Sequence, residues 1–256
     1  MEGSRRTFLK IAGASLLGLA AKPVLDAFAR SEFPKVIKAP QALVAKRWAM
    51  VVDMKKFKAE EDYQRCIQAC HRAHNVPDIG TKQEVKWIWK ERYAQAFPDE
   101  QNQFIPDEMK NKAFLLLCNH CDNPPCVRVC PTQATFRRKE DGIVMMDFHR
   151  CIGCRYCMAA CPYGARSFNF GNPRPYIQET NLEFPTRTKG VVEKCNFCEE
   201  RVARGLLPAC VEVSRGALIF GDLANPDSGV RKILRLNYGI RRRPTLGTQP
   251  QVYYLI

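Results

Sequence analysis

Past its first 30 residues the sequence contains no long apolar run. No later segment reaches the roughly 18 apolar residues that a membrane-spanning helix needs, so the mature chain is expected to be soluble or peripheral. Phosphate-cradling glycine loops of the GxGxxG or P-loop kind are missing, as are a Ser/His/Asp array and paired carboxylates in a recognisable motif. These absences exclude the common nucleotide-dependent and hydrolytic chemistries. Cysteine is present, at 13 in 256 residues, but below the density of a small disulfide scaffold, and an odd count excludes complete internal pairing. At 29.2 kDa the chain can bury a substantial core in one or two domains.

What is present begins with charge. Forty Lys and Arg stand against 26 Asp and Glu, a formal +14, which suits an anionic surface, nucleic acid or an anionic partner. The first 29 residues read as an export signal. MEGSRRTFLK precedes the short apolar run IAGASLLGLAA, and Ala27-Phe28-Ala29 offers a cleavage site before Arg30. Ser4-Arg5-Arg6-Thr7-Phe8-Leu9-Lys10 looks like a twin-arginine signal, whose route exports proteins already folded around their cofactors. Without residues 1–29 the balance is 36 basic against 24 acidic residues, or +12.

Periodicity predicts a strand over 46–54 and a helix in EEDYQRCIQACHRAH that brings Cys66 and Cys70 to one face. Residues 85–93 alternate as a strand with Val85, Trp87 and Trp89 on one side, and 98–111 read as a loop. AFLLL (113–117) is a strand leading into Cys118. Asp141-Gly142 marks a hairpin turn between Thr135-Phe136 and Ile143 to Met146. Residues 171–190 read as loop, ALIFGD (217–222) ends a strand, VRKILRL is a short helix, and TQPQVYYLI closes the chain in extended form.

The chemistry lies in the cysteine spacing. Cys118, Cys121, Cys126 and Cys130 follow C-x2-C-x4-C-x3-CP, and Cys151, Cys154, Cys157 and Cys161 follow C-x2-C-x2-C-x3-CP. The second run has the spacing of the bacterial ferredoxin motif, in which three close thiolates hold three corners of an Fe4S4 cubane and the fourth reaches the neighbouring cubane. The expected sets are therefore Cys118, Cys121, Cys126 and Cys161 (set A), and Cys151, Cys154, Cys157 and Cys130 (set B). Gly153, Ala159 and Ala160 are expected to permit close wrapping. Structural zinc pairs C-x2-C units across a longer loop and has no need of the extra cysteines. Disulfides are chemically available after export, yet these triplets would bridge awkwardly.

Five cysteines remain. Cys195, Cys198 and Cys210 follow C-x2-C-x11-C, and position 214, where a fourth would stand, is serine. Upstream, the same rhythm counted back from Cys66 and Cys70 falls on Tyr63 and Glu60. If the first and last groups cross as the middle ones do, Cys70 joins Cys195, Cys198 and Cys210 (set C). The twin of that set would hold only Cys66 among Glu60, Tyr63 and Ser214, and oxygen groups are poor substitutes for thiolates on a soft metal core. Twelve cysteines thus serve three [4Fe-4S] clusters, and Cys66 reads as a small buried apolar residue. His71, His74, His120 and His149 flank these groups, with roles beside the site rather than as ligands; His120 is expected to tune set A by charge or hydrogen bonding.

The segments CNHCDNPPCVRVCP, CIGCRYCMAACPYGAR and CNFCEERV…PACVE, with the trailing FGDL…LGTQPQVYYL, resemble the four-cluster ferredoxin-like electron-transfer subunits. These serve molybdopterin oxidoreductases such as dimethyl sulfoxide, polysulfide and nitrate reductases, and nitrite-reduction and hydrogenase systems. The resemblance covers most of residues 46–256. It implies an α+β fold of tandem bacterial-ferredoxin-like modules, with small strands and short helices around the clusters. The expected boundaries are 1–29 for the signal, 30–112 for an N-terminal part, 113–170 for a central two-cluster module, and 171–256 for a C-terminal part that completes the N-terminal module. The family crosses its first group with its last, as in set C. The departures at Glu60, Tyr63 and Ser214, on an exported chain, most resemble the three-cluster DsrO-type periplasmic subunits of DsrMKJOP membrane complexes. The resemblance then implies a peripheral subunit at the outer face of the cytoplasmic membrane. It would relay single electrons between an integral membrane quinone-interacting subunit and another redox subunit, with a multihaem c-type cytochrome among its partners and sulfur or sulfite metabolism as the setting. A different molybdopterin, nitrite or hydrogenase system is the alternative.

Nucleic acid is not an expected partner. Three clusters of about −2 each, counting thiolates, offset half of the mature charge, and export separates the chain from chromosomal DNA. A self-contained enzyme is the remaining rival, and the sequence offers it no substrate site.

Overall fold

The computed structural model describes residues 39–256, so the expected signal lies outside the described residues. Strand β1 (Trp48–Asp53) is buried along its whole length, because both of its faces are covered. Trp48, Met50 and Val52 enter the main core, while Ala49 and Val51 meet Val230 of helix α8 (Gly229–Leu236) on the other side. The period-two pleat thus sorts one strand's side chains between two apolar layers.

β1 is the centre of a four-stranded sheet. It pairs antiparallel with β8 (Leu218–Asp222) and parallel with β10 (Val252–Leu255), which pairs antiparallel with β9 (Gly239–Ile240). The register Met50↔Val252 to Asp53↔Leu255 joins the first described strand to the last. Helix α1 (Glu60–His74) packs against α7 (Ala209–Val213), which brings the first and last cysteine groups together. The α1 N-terminus is capped by Asp62, whose carboxylate accepts from the backbone N–H of Lys58 (3.0 Å) and Ala59 (3.1 Å). Its C-terminus closes on Asn75 in the left-handed region (φ 52°).

Three two-stranded ladders deliver the chain to the cysteine groups. β2 (Ile88–Arg92) pairs with β3 (Ala113–Leu117), which runs directly into Cys118. β4 (Thr135–Arg137) and β5 (Val144–Met146) form the expected hairpin between Cys130 and Cys151; Gly142 has φ +77°, and a side chain there would also collide with Arg47. β6 (Ser167–Phe168) pairs with β7 (Val192–Glu193), just before Cys195. The remaining helices are single turns: α2 (Tyr93–Ala96), α3 (Asp107–Asn111), α4 (Pro125–Arg128), α5 (Tyr156–Ala159) and α6 (Glu199–Val202).

The fold is the expected α+β mixture of small strands and short helices. Two segments differ from expectation. The strand over 85–93 is confined to 88–92, because Tyr93 opens α2 and stacks on Phe97 at 5.2 Å. Trp87 lies before the strand, fully buried, and donates its indole N–H to Glu193 at 2.9 Å. The polar stretch 98–111 is not all loop, since α3 starts behind Pro106. Among the described residues, no helix is long and apolar enough to cross a membrane.

A buried ion pair fastens the N-terminal part to β7. The Arg187 guanidinium meets the Glu193 carboxylate at 2.6 Å, and both side chains are almost wholly inaccessible. Arg187 also donates to the carbonyl oxygens of Asn75 (2.8 Å) and Pro185 (2.9 Å), just past the end of α1. These additional hydrogen bonds help to make a buried pair tolerable, although among the described residues Arg187 Nε has no partner.

Candidate metal centres

All thirteen cysteines are free thiols. Cys118 follows β3, Cys126 sits on α4, and Cys121 and Cys161 lie in the connecting segments; together the four line one small cavity. A second small cavity is lined by Cys130, Cys151, Cys154 and Cys157, the last on α5. These are sets A and B, each gathered from both of the middle motifs. Cys154 is exposed, whereas Cys118, Cys121 and Cys126 are buried.

The α1–α7 contact gathers set C. Burial pushes the Cys70 thiol well above its ordinary pKa, and Cys195, Cys198 and Cys210 then add to that shift as the nearest like groups. Burial likewise pushes Cys121 and Cys195 up to about 12. Such groups resist ionising alone and give up protons to a metal that takes thiolates. Cys130 goes the other way. Burial works against its thiolate, but the backbone of Thr135 and the side chain of Thr132 outweigh it, leaving its pKa below the ordinary value.

Cys66 lies beside set C, close enough to oppose the charging of Cys210, but is not among the thiols that act on Cys70. It is fully buried in the core beside Tyr63, whose hydroxyl donates to the Ala113 carbonyl at 2.8 Å and whose ring packs on Phe57 at 4.9 Å. Ser214 donates to Val211 O at 2.8 Å and accepts from Leu218 N at 3.1 Å, and Glu60 pairs with Lys90. Each oxygen group at the damaged fourth position therefore has a partner within the protein. Burial raises the Cys66 thiol to about 11.

Among the small residues, Gly153 is also held by a close approach to another part of the chain. Gly153 has φ +71°, and a β-carbon there would lie 2.5 Å from the Gly190 carbonyl, so the close approach is to the chain before β7. Ala159 is exposed. His120 is held far below its ordinary pKa by burial and then by Lys194 and Arg166, and its Nδ1 accepts from Val144 N at 3.1 Å. It stacks on Phe197 with centroids 3.6 Å apart. His149 is exposed, and His71 is half-buried on the outer side of α1.

Of the polar groups beside the thiols, His74 was expected there, whereas Glu200, Arg166 and Lys194 were missed by sequence reasoning. His74 bridges Cys70 O (3.0 Å) and Glu200 (2.8 Å), and donor atoms of His74, Glu200 and Cys198 all lie within 4.8 Å of one another. Arg166 donates to the Cys126 sulfur at 3.0 Å and to Thr135 at 2.7 Å. Lys194 donates to the carbonyl oxygens of Cys195 (2.6 Å) and Val144. Burial opposes the charge of Arg166, but the thiolates of Cys126, Cys157, Cys118 and Cys161 together lift its pKa above the ordinary value. For Lys194 burial dominates and the net shift is downward, with Cys118 pulling against it. The only available signal was position: Lys194 immediately precedes Cys195, and Arg166 follows the CP turn.

The donor set suits a soft metal centre: four sulfurs to a cavity, none spent in a disulfide, with buried cations beside them. A family of 4Fe-4S dicluster domains matches residues 109–173. An iron-sulfur subunit of an Hdr-like menaquinol oxidoreductase from Archaeoglobus fulgidus is 41% identical, over 98% of this chain and 97% of its own. The chain belongs to the iron-sulfur electron-transfer subunits. A tetrathionate reductase subunit from Salmonella typhimurium is 36% identical across the whole chain and 89% of its own length. The iron-sulfur cluster-binding subunit of a menaquinone reductase from Nitratidesulfovibrio vulgaris is 35% identical over 82% of this chain and 88% of its own. As in these relatives, the role is that of an electron-relay subunit and not of the catalytic one.

Proposed function

We propose that the chain relays single electrons through three [4Fe-4S] clusters, held by sets C, A and B in that spatial order. It would work between an integral membrane quinone-interacting subunit and a second redox subunit of a respiratory complex. The sorting of twelve thiols into three groups of four, with the thirteenth packed in the core, carries this reading. When bound, a [4Fe-4S] cluster supplies a reversible one-electron carrier. The protein's part is to order and insulate these sites. Cys118 stands close enough to Cys195 to raise its charging cost, and Cys126 does the same to Cys157, so set C adjoins A and A adjoins B. Exposed Cys154, Ile152 and Tyr156 bring set B to the surface, where a partner can exchange electrons.

Two of the relatives above are named for menaquinol or menaquinone chemistry, which supports a quinone-linked neighbour. The loss of the fourth thiol position, with the twin-arginine pattern, supports a DsrO-type subunit exported to the outer face of the membrane, with a multihaem c-type cytochrome in the same complex and a link to sulfur or sulfite metabolism. Names among the other relatives, such as selenate and arsenate reductases, keep a different terminal reaction as the competing assignment. The decisive experiment is iron and sulfide quantitation with EPR on anaerobically purified full-length protein. About 12 Fe per chain with three reducible cubanes is expected, and about 8 or about 16 would refute the assignment.

A further inference from the structure

Arg166 and Lys194 are buried cations that, among the described residues, form no ion pair with a carboxylate. Arg242, also buried, likewise meets only carbonyl oxygens, those of Ala96 and Tyr163, whereas other covered arginines face acids. Arg187, equally buried, faces Glu193, and Arg138, largely covered, faces both Asp141 and Glu199. An inaccessible cation that meets only carbonyls, a hydroxyl and a sulfur is poorly compensated unless negative charge resides nearby. The two side chains lie where such charge would be. Arg166 touches Cys126 of set A and acts on Cys157 of set B. Lys194 is anchored on the Cys195 carbonyl of set C, and Cys118 of set A is the thiol that acts on its charge most strongly.

On the three-cluster reading above, we propose that Arg166 and Lys194 are built-in counter-cations that set reduction potentials along the relay, Arg166 between sets A and B and Lys194 between sets A and C. Adding one electron to a four-thiolate set adds one negative charge. A fixed positive charge in a dry interior lowers the cost of that step, and neither cation need gain or lose a proton for it. Set A is the one flanked by both cations. The pair therefore makes the middle of the relay the easiest place to reduce, instead of leaving three equivalent stations.

The test is an EPR-monitored redox titration of the full-length, iron-loaded protein, comparing wild type with Arg166→Gln, Arg166→Lys, Lys194→Met and Lys194→Arg. Arg166→Gln is expected to keep the wild-type iron content and to shift two of the three potentials to more negative values. Lys194→Met shifts two as well, and one signal responds to both variants. Arg166→Lys and Lys194→Arg restore most of each shift. Unchanged potentials, a uniform shift of all three signals, or equal shifts in the neutral and charge-conserving variants would overturn the proposal. If Arg166→Gln loses iron, Arg166→Lys decides. Retained iron with near-wild-type potentials supports a charge role, and loss of iron there too overturns it in favour of a purely steric hold on Cys126. A wild-type iron content well below about 12 per chain would count against the three-cluster reading itself and is visible before any potential is measured.

Discussion

Cys66 and Cys70 lie on the same helix, four residues apart, yet have different thiol neighbours. Both line the same apolar core, but Cys70 is acted on by Cys195, Cys198 and Cys210, whereas Cys66 is felt only by Cys210 among them. Cys70→Ser should therefore lower the iron content by about 4 per chain, since a hydroxyl is a poor ligand for a soft metal. Cys66→Ser should leave the iron content intact and lower only thermal stability, by the about 1–3 kcal/mol expected when a hydroxyl is buried without a partner. Iron assay and thermal melting on the same preparations check both outcomes. Set B offers a second contrast at this scale: because Cys154 is exposed, its EPR signal should be the first lost on exposure to air.

The elements around the thiols are short, and their contacts do the holding. Breaking the Arg187–Glu193 pair strands a charge between the end of α1 and β7. Glu193→Ala should cost about 3–5 kcal/mol and shift the melting midpoint sharply. The helix carrying Cys66 and Cys70, the hairpin at Gly142 and the strands at both chain ends were legible in the sequence, because apolar periodicity and turn residues dictate them locally. The grouping of thiols was legible too, since motif spacing is itself a record of how a chain wraps a common centre. What stayed hidden depends on partners remote in sequence. Arg187 and Arg166 are both buried, and no local pattern distinguishes them from a surface arginine. Residues 98–111 look like loop because they are polar, yet α3 needs only one turn and a preceding proline. Gly153 was expected to let the chain wrap the cysteines around it, and its close approach to Gly190, beyond a loop that sequence cannot close, was not visible.

Across the whole molecule, regular structure is unevenly distributed. The four-stranded sheet with α8 is an ordinary apolar core, whereas the segments holding sets A and B have only single-turn helices and strands of a few residues. Iron removal by chelation under reducing conditions should therefore act selectively. Amides in 118–130 and 151–161 are expected to lose hydrogen-exchange protection, while β1, β8 and β10 keep theirs. Equal loss everywhere would mean that the sheet also depends on the metal.

The pairing of β1 with β10 also sets a timetable for biogenesis. Sets A and B are complete once residue 161 has left the ribosome, set C waits until residue 210, and the central sheet closes only when the final strand, Val252–Leu255, arrives. The middle of the molecule can be metallated while the chain is still nascent. A stop codon placed just before Val252 would spare all twelve sorted thiols and still leave β1 without its parallel neighbour.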